Sequence, residues 1–227
     1  YLHAETSYLE CAVRVAAGKG LETVLPPSAP ALRDYLTYLE ANLDQPGPQH
    51  DLGAWHLQHG QLNHALPLLE NATAWDPGSA AFQHTYALAL SRAERQNEAT
   101  EALKVAVRLA PNDAAYWHSL GLAYGMASPS EAAAALREAV QRAPNQGRYV
   151  LSLVLVLHGS TRSIEAVAVA REGLVLSPDD IALRWALATI LRDIGAAQEA
   201  QEEALQILTR EPSHHGAQHL SRHLQSG

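Results

Sequence analysis

Twelve histidines in a chain of 227 residues are the side chains most open to chemistry, because imidazole can ligate metals, move protons and bond through either nitrogen near neutral pH. Three of them, His50, His84 and His118, stand 34 residues apart. His215, His219 and His223 follow one another at i, i+4 and i+8, and His56, His59 and His64 gather in one short stretch. Residues at i and i+4 share a helix face, so His215 and His219 are weak candidates for a divalent transition metal. No carboxylate or cysteine close by completes a ligand set, and the expectation is no metal and no cofactor. The 34-residue ladder is poorer still. Packed helices lie roughly 8–10 Å apart, whereas a Zn–N bond is only about 2.0–2.1 Å.

Other catalytic arrangements are missing. There is no glycine-rich phosphate loop, no G-x-S-x-G elbow and no H-E-x-x-H pair. The single cysteine, Cys11, sits on an apolar helical stripe, where a thiol is inert packing. Asn71-Ala72-Thr73 fits a glycosylation sequon, but it falls inside a helical pattern at a packing position. The chain therefore does not read as an enzyme.

The elements that must position these side chains announce themselves by period. Prolines at Pro77, Pro111, Pro144, Pro178 and Pro212 are spaced by 34, 33, 34 and 34 residues. Twelve residues before each stands an alanine: Ala65, Ala99, Ala132, Ala166 and Ala200. Such a period denotes stacked helical hairpins. Small residues sit where backbones approach closely, apolar positions at i, i+3, i+4 and i+7 supply the buried stripe, and each proline closes a second helix. Ser128-Pro129-Ser130-Glu131 reads as an N-cap, an N1 proline and a capping glutamate. No strand-like alternation of any length occurs, so the chain is expected to be all-α.

These residues resemble the tetratricopeptide repeat, with the fullest match in Trp117, Leu120, Gly121 and Tyr124, then Ala132, Leu136, Ala139 and Pro144. The resemblance implies a right-handed superhelical solenoid of about five helix-turn-helix repeats, at 46–79, 80–113, 114–146, 147–180 and 181–214. Residues 1–45 would form an atypical N-terminal helical pair or the end of an upstream domain, and 215–227 a capping helix. It also implies a protein-interaction scaffold or adaptor whose first helices line a concave groove. Carried onto this sequence, the groove positions are His84, Leu88, His118, Leu122, Leu155, His158, Trp185 and Arg192. A mixture of imidazole, aliphatic and indole surface suits a peptide or helix with apolar anchors. The Lys and Asn of the family's carboxylate clamp are absent, which disfavours acidic chaperone tails. The alternative is that the histidines are merely polar, partly exposed helix residues. His118→Ala or Trp185→Ala is expected to weaken partner binding and leave thermal stability nearly unchanged.

Parts of the chain (Glu10 to the Gly53 repeat, Arg148-Tyr149, Leu191-Arg192-Asp193) are also similar in layout to the C-terminal tail of bacterial multihaem c-type cytochromes. That resemblance implies an electron-transfer module upstream or on a partner, in a bacterial cell envelope, although no C-x-x-C-H is present. A self-assembling scaffold, with one copy's groove holding the next copy's last helix, is the other alternative.

Composition narrows the partners. The formal charge is −8, with Lys19 and Lys104 the only lysines. That disfavours nucleic acid and anionic membranes, and no apolar run is long enough to insert into a bilayer. A protein or peptide partner is expected. Compartment is not indicated, with periplasm, cell envelope and cytoplasm all open. One cysteine excludes an internal disulfide.

Overall fold

The computed structural model describes residues 30–225, so the first helix of the expected N-terminal pair, with Cys11, lies outside the described residues. The described residues form twelve α-helices and no strand. They are α1 (Pro30–Ala41), α2 (Pro46–Gln58), α3 (Leu62–Trp75), α4 (Ala80–Arg92), α5 (Gln96–Leu109), α6 (Ala114–Tyr124), α7 (Pro129–Arg142), α8 (Gly147–Gly159), α9 (Ser163–Leu176), α10 (Ile181–Asp193), α11 (Ala197–Arg210) and α12 (His215–Gln225). Two compact units divide the chain, residues 1–99 and 100–227.

Helix ends follow local chemistry. α3, α5, α7, α9 and α11 each stop two residues before one of the periodic prolines. The residue between them leaves helical geometry, as Ser177 does at φ −135°, ψ 72°; the pyrrolidine ring disfavours α geometry there. Side-chain caps open the next first helices: Asp113 accepts from the Ala115 N–H at 2.8 Å and Asp180 from Leu183 at 2.9 Å. Pro129 is at N1 of α7 as expected, but Ser128 makes no side-chain cap bond. The φ −137° backbone and N1 proline open this helix without it.

In the first unit α2 packs on α3, α3 on α4, and α1 against α2. The core there is Leu57, Ala65, Leu69 and Ala89. Tyr35 of α1 donates to Asp51 at 3.0 Å. In the second unit α6 pairs with α7, α8 with α9 and α10 with α11, and each second helix also packs on the first helix that follows. The principal core runs from Leu136 through Val154, Ala170 and Leu187 to Ala200. Gly121 shows why a small residue recurs on the first helices: a Cβ there would stand 2.5 Å from Leu136 Cγ. Any side chain would drive α6 and α7 apart.

α12 closes the second unit. Ala217 and Leu220 are buried with Ala204 and Ile207, and Leu224 packs on the same cluster. Positions that bury a second helix in earlier hairpins, such as Trp117 and Gly121, correspond to Gln218 and Arg222 in α12. That side of α12 is polar.

Candidate functional site

The first helices of the second unit lie side by side, and the histidines tie them together. On α6, His118 places Nε2 2.9 Å from Ser152 Oγ on α8, with its ring 4.6 Å from that of Tyr149. Ser152 already donates to the Arg148 carbonyl, so its oxygen accepts from His118 Nε2–H. Burial, and secondarily the Arg148 guanidinium, hold this imidazole below the usual histidine range. It is a neutral bridging group.

The first unit uses the same device. His50 on α2 reaches Thr85 Oγ1 on α4 at 2.9 Å and stacks on Phe82 at 4.5 Å. An imidazole at one repeat position thus meets a hydroxyl and an aromatic ring on the next first helix. The pairs Phe82/Thr85 and Tyr149/Ser152 were the sequence signal for this, each an aromatic followed three residues later by a hydroxyl. The bond and ring contact of His118 lead us to expect a loss of stability on its removal, in contrast to the expectation from the sequence.

His158 on α8 spans three helices, with Nδ1 3.0 Å from Ser163 Oγ of α9 and Nε2 3.3 Å from Asp193 Oδ2 of α10. Arg192 donates to the other oxygen of Asp193 through Nε and Nη2, at 2.9 and 2.7 Å. Between these anchors Leu122 of α6 and Leu155 of α8 are each 54% exposed. They occupy the same place on successive hairpins. His84 (half-buried) and Leu88 (40% exposed) lie on α4 in the first unit.

Trp185 is half-buried on α10 against the cluster of Ala188, Ala204, Ile207, Ala217 and Leu220. Its indole edge lies on Gly216, where a Cβ would be 2.8 Å from Cζ2. Trp185, Arg192, Gly216, His219, Leu220 and His223 line a cleft of about 330 Å³ between α10 and α12. Trp185 and Arg192, expected from the sequence, are thus joined by His219 and His223, which were read only as part of a histidine row. His215 and His219 are both exposed. The rings of His219 and His223 stack at 6.5 Å between centroids. Among the described residues no group of three or more His, Cys, Asp or Glu could hold a metal ion.

Another recurring bond was not legible beforehand. The carbonyls of the periodic prolines accept from the side chain six residues on: Pro111 from Trp117 (2.8 Å), Pro178 from Arg184 (2.7 Å) and Pro212 from Gln218 (2.6 Å). Arg142 and Arg210, at the ends of α7 and α11, reach Pro111 and Pro178 as well. Arg184 is buried and also bonds Glu203 at 2.7 Å and Gln206 at 2.6 Å. These groups serve architecture.

Residues 56–122 match the tetratricopeptide repeat family model. Comparison with curated proteins returned no match. Among solved structures, the MamA protein is similar at a TM-score of 0.67 and 20% identity, over 74% of this chain and 92% of that one. YrrB, described as a TPR protein with an unusual peptide-binding site, matches at a TM-score of 0.67 and 17% identity, over 83% and 97%. TTC0263, a thermophilic TPR protein of Thermus thermophilus, matches at 0.55 and 21%, over 80% and 100%. The fold is that of the tetratricopeptide-repeat solenoids. The likeness to a cytochrome tail is not shown by these comparisons. No helix among the described residues is long and apolar enough to cross a membrane.

Proposed function

We propose that this chain, a stack of tetratricopeptide-type hairpins, is a non-catalytic interaction scaffold. It seats a peptide or helix with apolar anchors across the first helices. The observation that carries this reading is the pair Leu122 and Leu155, both 54% exposed at equivalent places on α6 and α8. Large apolar side chains in register on neighbouring helices offer the alternate anchor sites that peptide recognition uses. Around them His118 and His158 are bonded to the next helix, which holds the platform rigid and lowers the entropic cost of binding. Trp185 and Arg192 extend the surface towards α12. His84 and Leu88 on α4 are the corresponding contact residues of the first unit. The likeness to YrrB supports the class of activity by analogy of fold alone.

Self-assembly through the last helix draws no support from α12, because its apolar side, Ala217, Leu220 and Leu224, is already packed within the same chain. Selection from a random dodecapeptide library tests the groove. The native chain should enrich peptides rich in apolar residues, and the double variant Leu122→Ser/Leu155→Ser should lose them with its thermal unfolding unchanged. Equal enrichment by both proteins, or none by either, would sink the reading.

A further inference from the structure

Charge in residues 100–227 is sorted by helix. The second helices α7, α9 and α11 carry Glu131, Glu138, Glu165, Glu172, Glu199, Glu202 and Glu203 against Arg137, Arg142, Arg171 and Arg210. The four first helices α6, α8, α10 and α12 carry one carboxylate among them, Asp193, against Arg148, Arg184, Arg192 and Arg222. Asp193 is held from both sides, by Arg192 and by His158. Arg184 turns into the α10–α11 seam to meet Glu203. A chain of formal charge −8 therefore presents its first helices, and the α10–α12 cleft most of all, without an unpaired acidic group.

The chemistry of that cleft is divided. Trp185 and Leu220 supply an indole wall and an aliphatic floor, while Arg192, His219 and His223 supply nitrogen donors or acceptors. Arg192 commits Nε and Nη2 to Asp193, which leaves Nη1 for another acceptor. Groups facing the cleft from α10 and α12 include no carboxylate but Asp193, and Glu203 of α11 points to Arg184. A guanidinium beside an apolar wall selects a carboxylate that is attached to, or adjacent to, an apolar side chain.

We propose that the α10–α12 cleft receives an aspartate or glutamate of the partner peptide, with the neighbouring apolar residue seated against Trp185 and Leu220. This rests on the groove reading above and goes further by giving the partner its charge. It goes beyond the sequence expectation of a peptide or helix with apolar anchors. A polyanion is a poorer occupant, because the net charge of −8 repels an extended run of negative groups.

The same random dodecapeptide library provides the test, panned on the native chain and on Arg192→Gln. Native-selected peptides should be enriched in Asp or Glu next to apolar residues. Panning on R192Q should keep the apolar enrichment and lose the acidic one. The best native-selected peptide, resynthesised with Gln for its acidic residue, should bind roughly tenfold more weakly to the native chain. On R192Q the two peptides should bind alike. Enrichment of apolar residues without acidic ones overturns this proposal and leaves the groove standing. Acidic enrichment that persists in R192Q also overturns it, since the carboxylate is then read elsewhere. No enrichment of any kind overturns both. Arg192 is exposed, so unchanged thermal unfolding of R192Q is the expected control, and His219→Gln provides a second variant of the same cleft.

Discussion

The first and second helices of the second unit recur at the same period, yet they use their polar groups differently. Second helices carry their charges in pairs that run from one hairpin to the next, Arg137 with Glu165 and Arg171 with Glu199. Such exposed pairs add little stability and keep the surface solvated. First helices leave Leu122 and Leu155 in solvent and spend their polar groups on bonds between helices, as His118 does with Ser152 and His158 with Asp193.

Four perturbations would break or sharpen that contrast. The most severe lies in the seam between the two kinds of helix. Arg184→Ala removes a buried guanidinium and leaves half-buried Glu203 without its partner, and denaturant unfolding should show a loss of about 2–3 kcal/mol. A milder result would mean that water replaces the guanidinium. Next comes the contact face itself. Leu122→Ser with Leu155→Ser should weaken a selected peptide at least about tenfold, while Val175→Ser, which changes an exposed apolar residue on second helix α9, should leave binding unchanged. Equal losses would erase the distinction between the faces.

A smaller effect is expected at His118. Its removal sacrifices one interhelix bond and a ring contact, so His118→Ala should lower stability by about 1–2 kcal/mol. The pH dependence has a definite sign. With the folded value depressed, the unfolded chain binds the proton more readily, so this histidine's contribution is complete above the ordinary histidine range and fades as pH falls through about 6.5. Thermal unfolding at a series of pH values should show that decline in the native chain and less of it in the variant. Least of all, Arg171→Ala should leave the melting temperature of the chain unmoved, which calorimetry can check.

Much of the fold was legible because its determinants are local. The prolines end the second helices where the period places them, and Gly121 is small for the packing reason its spacing implied. Less of the site could be read. Histidines at 34-residue intervals looked like a ladder open to ligand, and for His50 and His118 the structure shows bridges to Thr85 and Ser152 instead. The partner lies 34 or 35 residues away in sequence, so the bond exists only once hairpins stack. The α10–α12 cleft is similar: His219 and His223 meet Trp185 and Arg192 only because α12 packs back on α11.

By itself the sequence determined the class of structure: helical hairpins of fixed length, closed by proline, close-packed through alanine and glycine, with an acidic balance that disfavours polyanionic partners. Those outcomes follow from backbone preference, side-chain volume and charge count, each of which acts over a few residues or over composition as a whole. Tertiary structure alone decided which polar groups remain for a partner. An imidazole or guanidinium has several competing acceptors, and only the stacking of one hairpin on the next gave His118 and Arg184 their partners on neighbouring helices while Arg192 and His219 line a cleft.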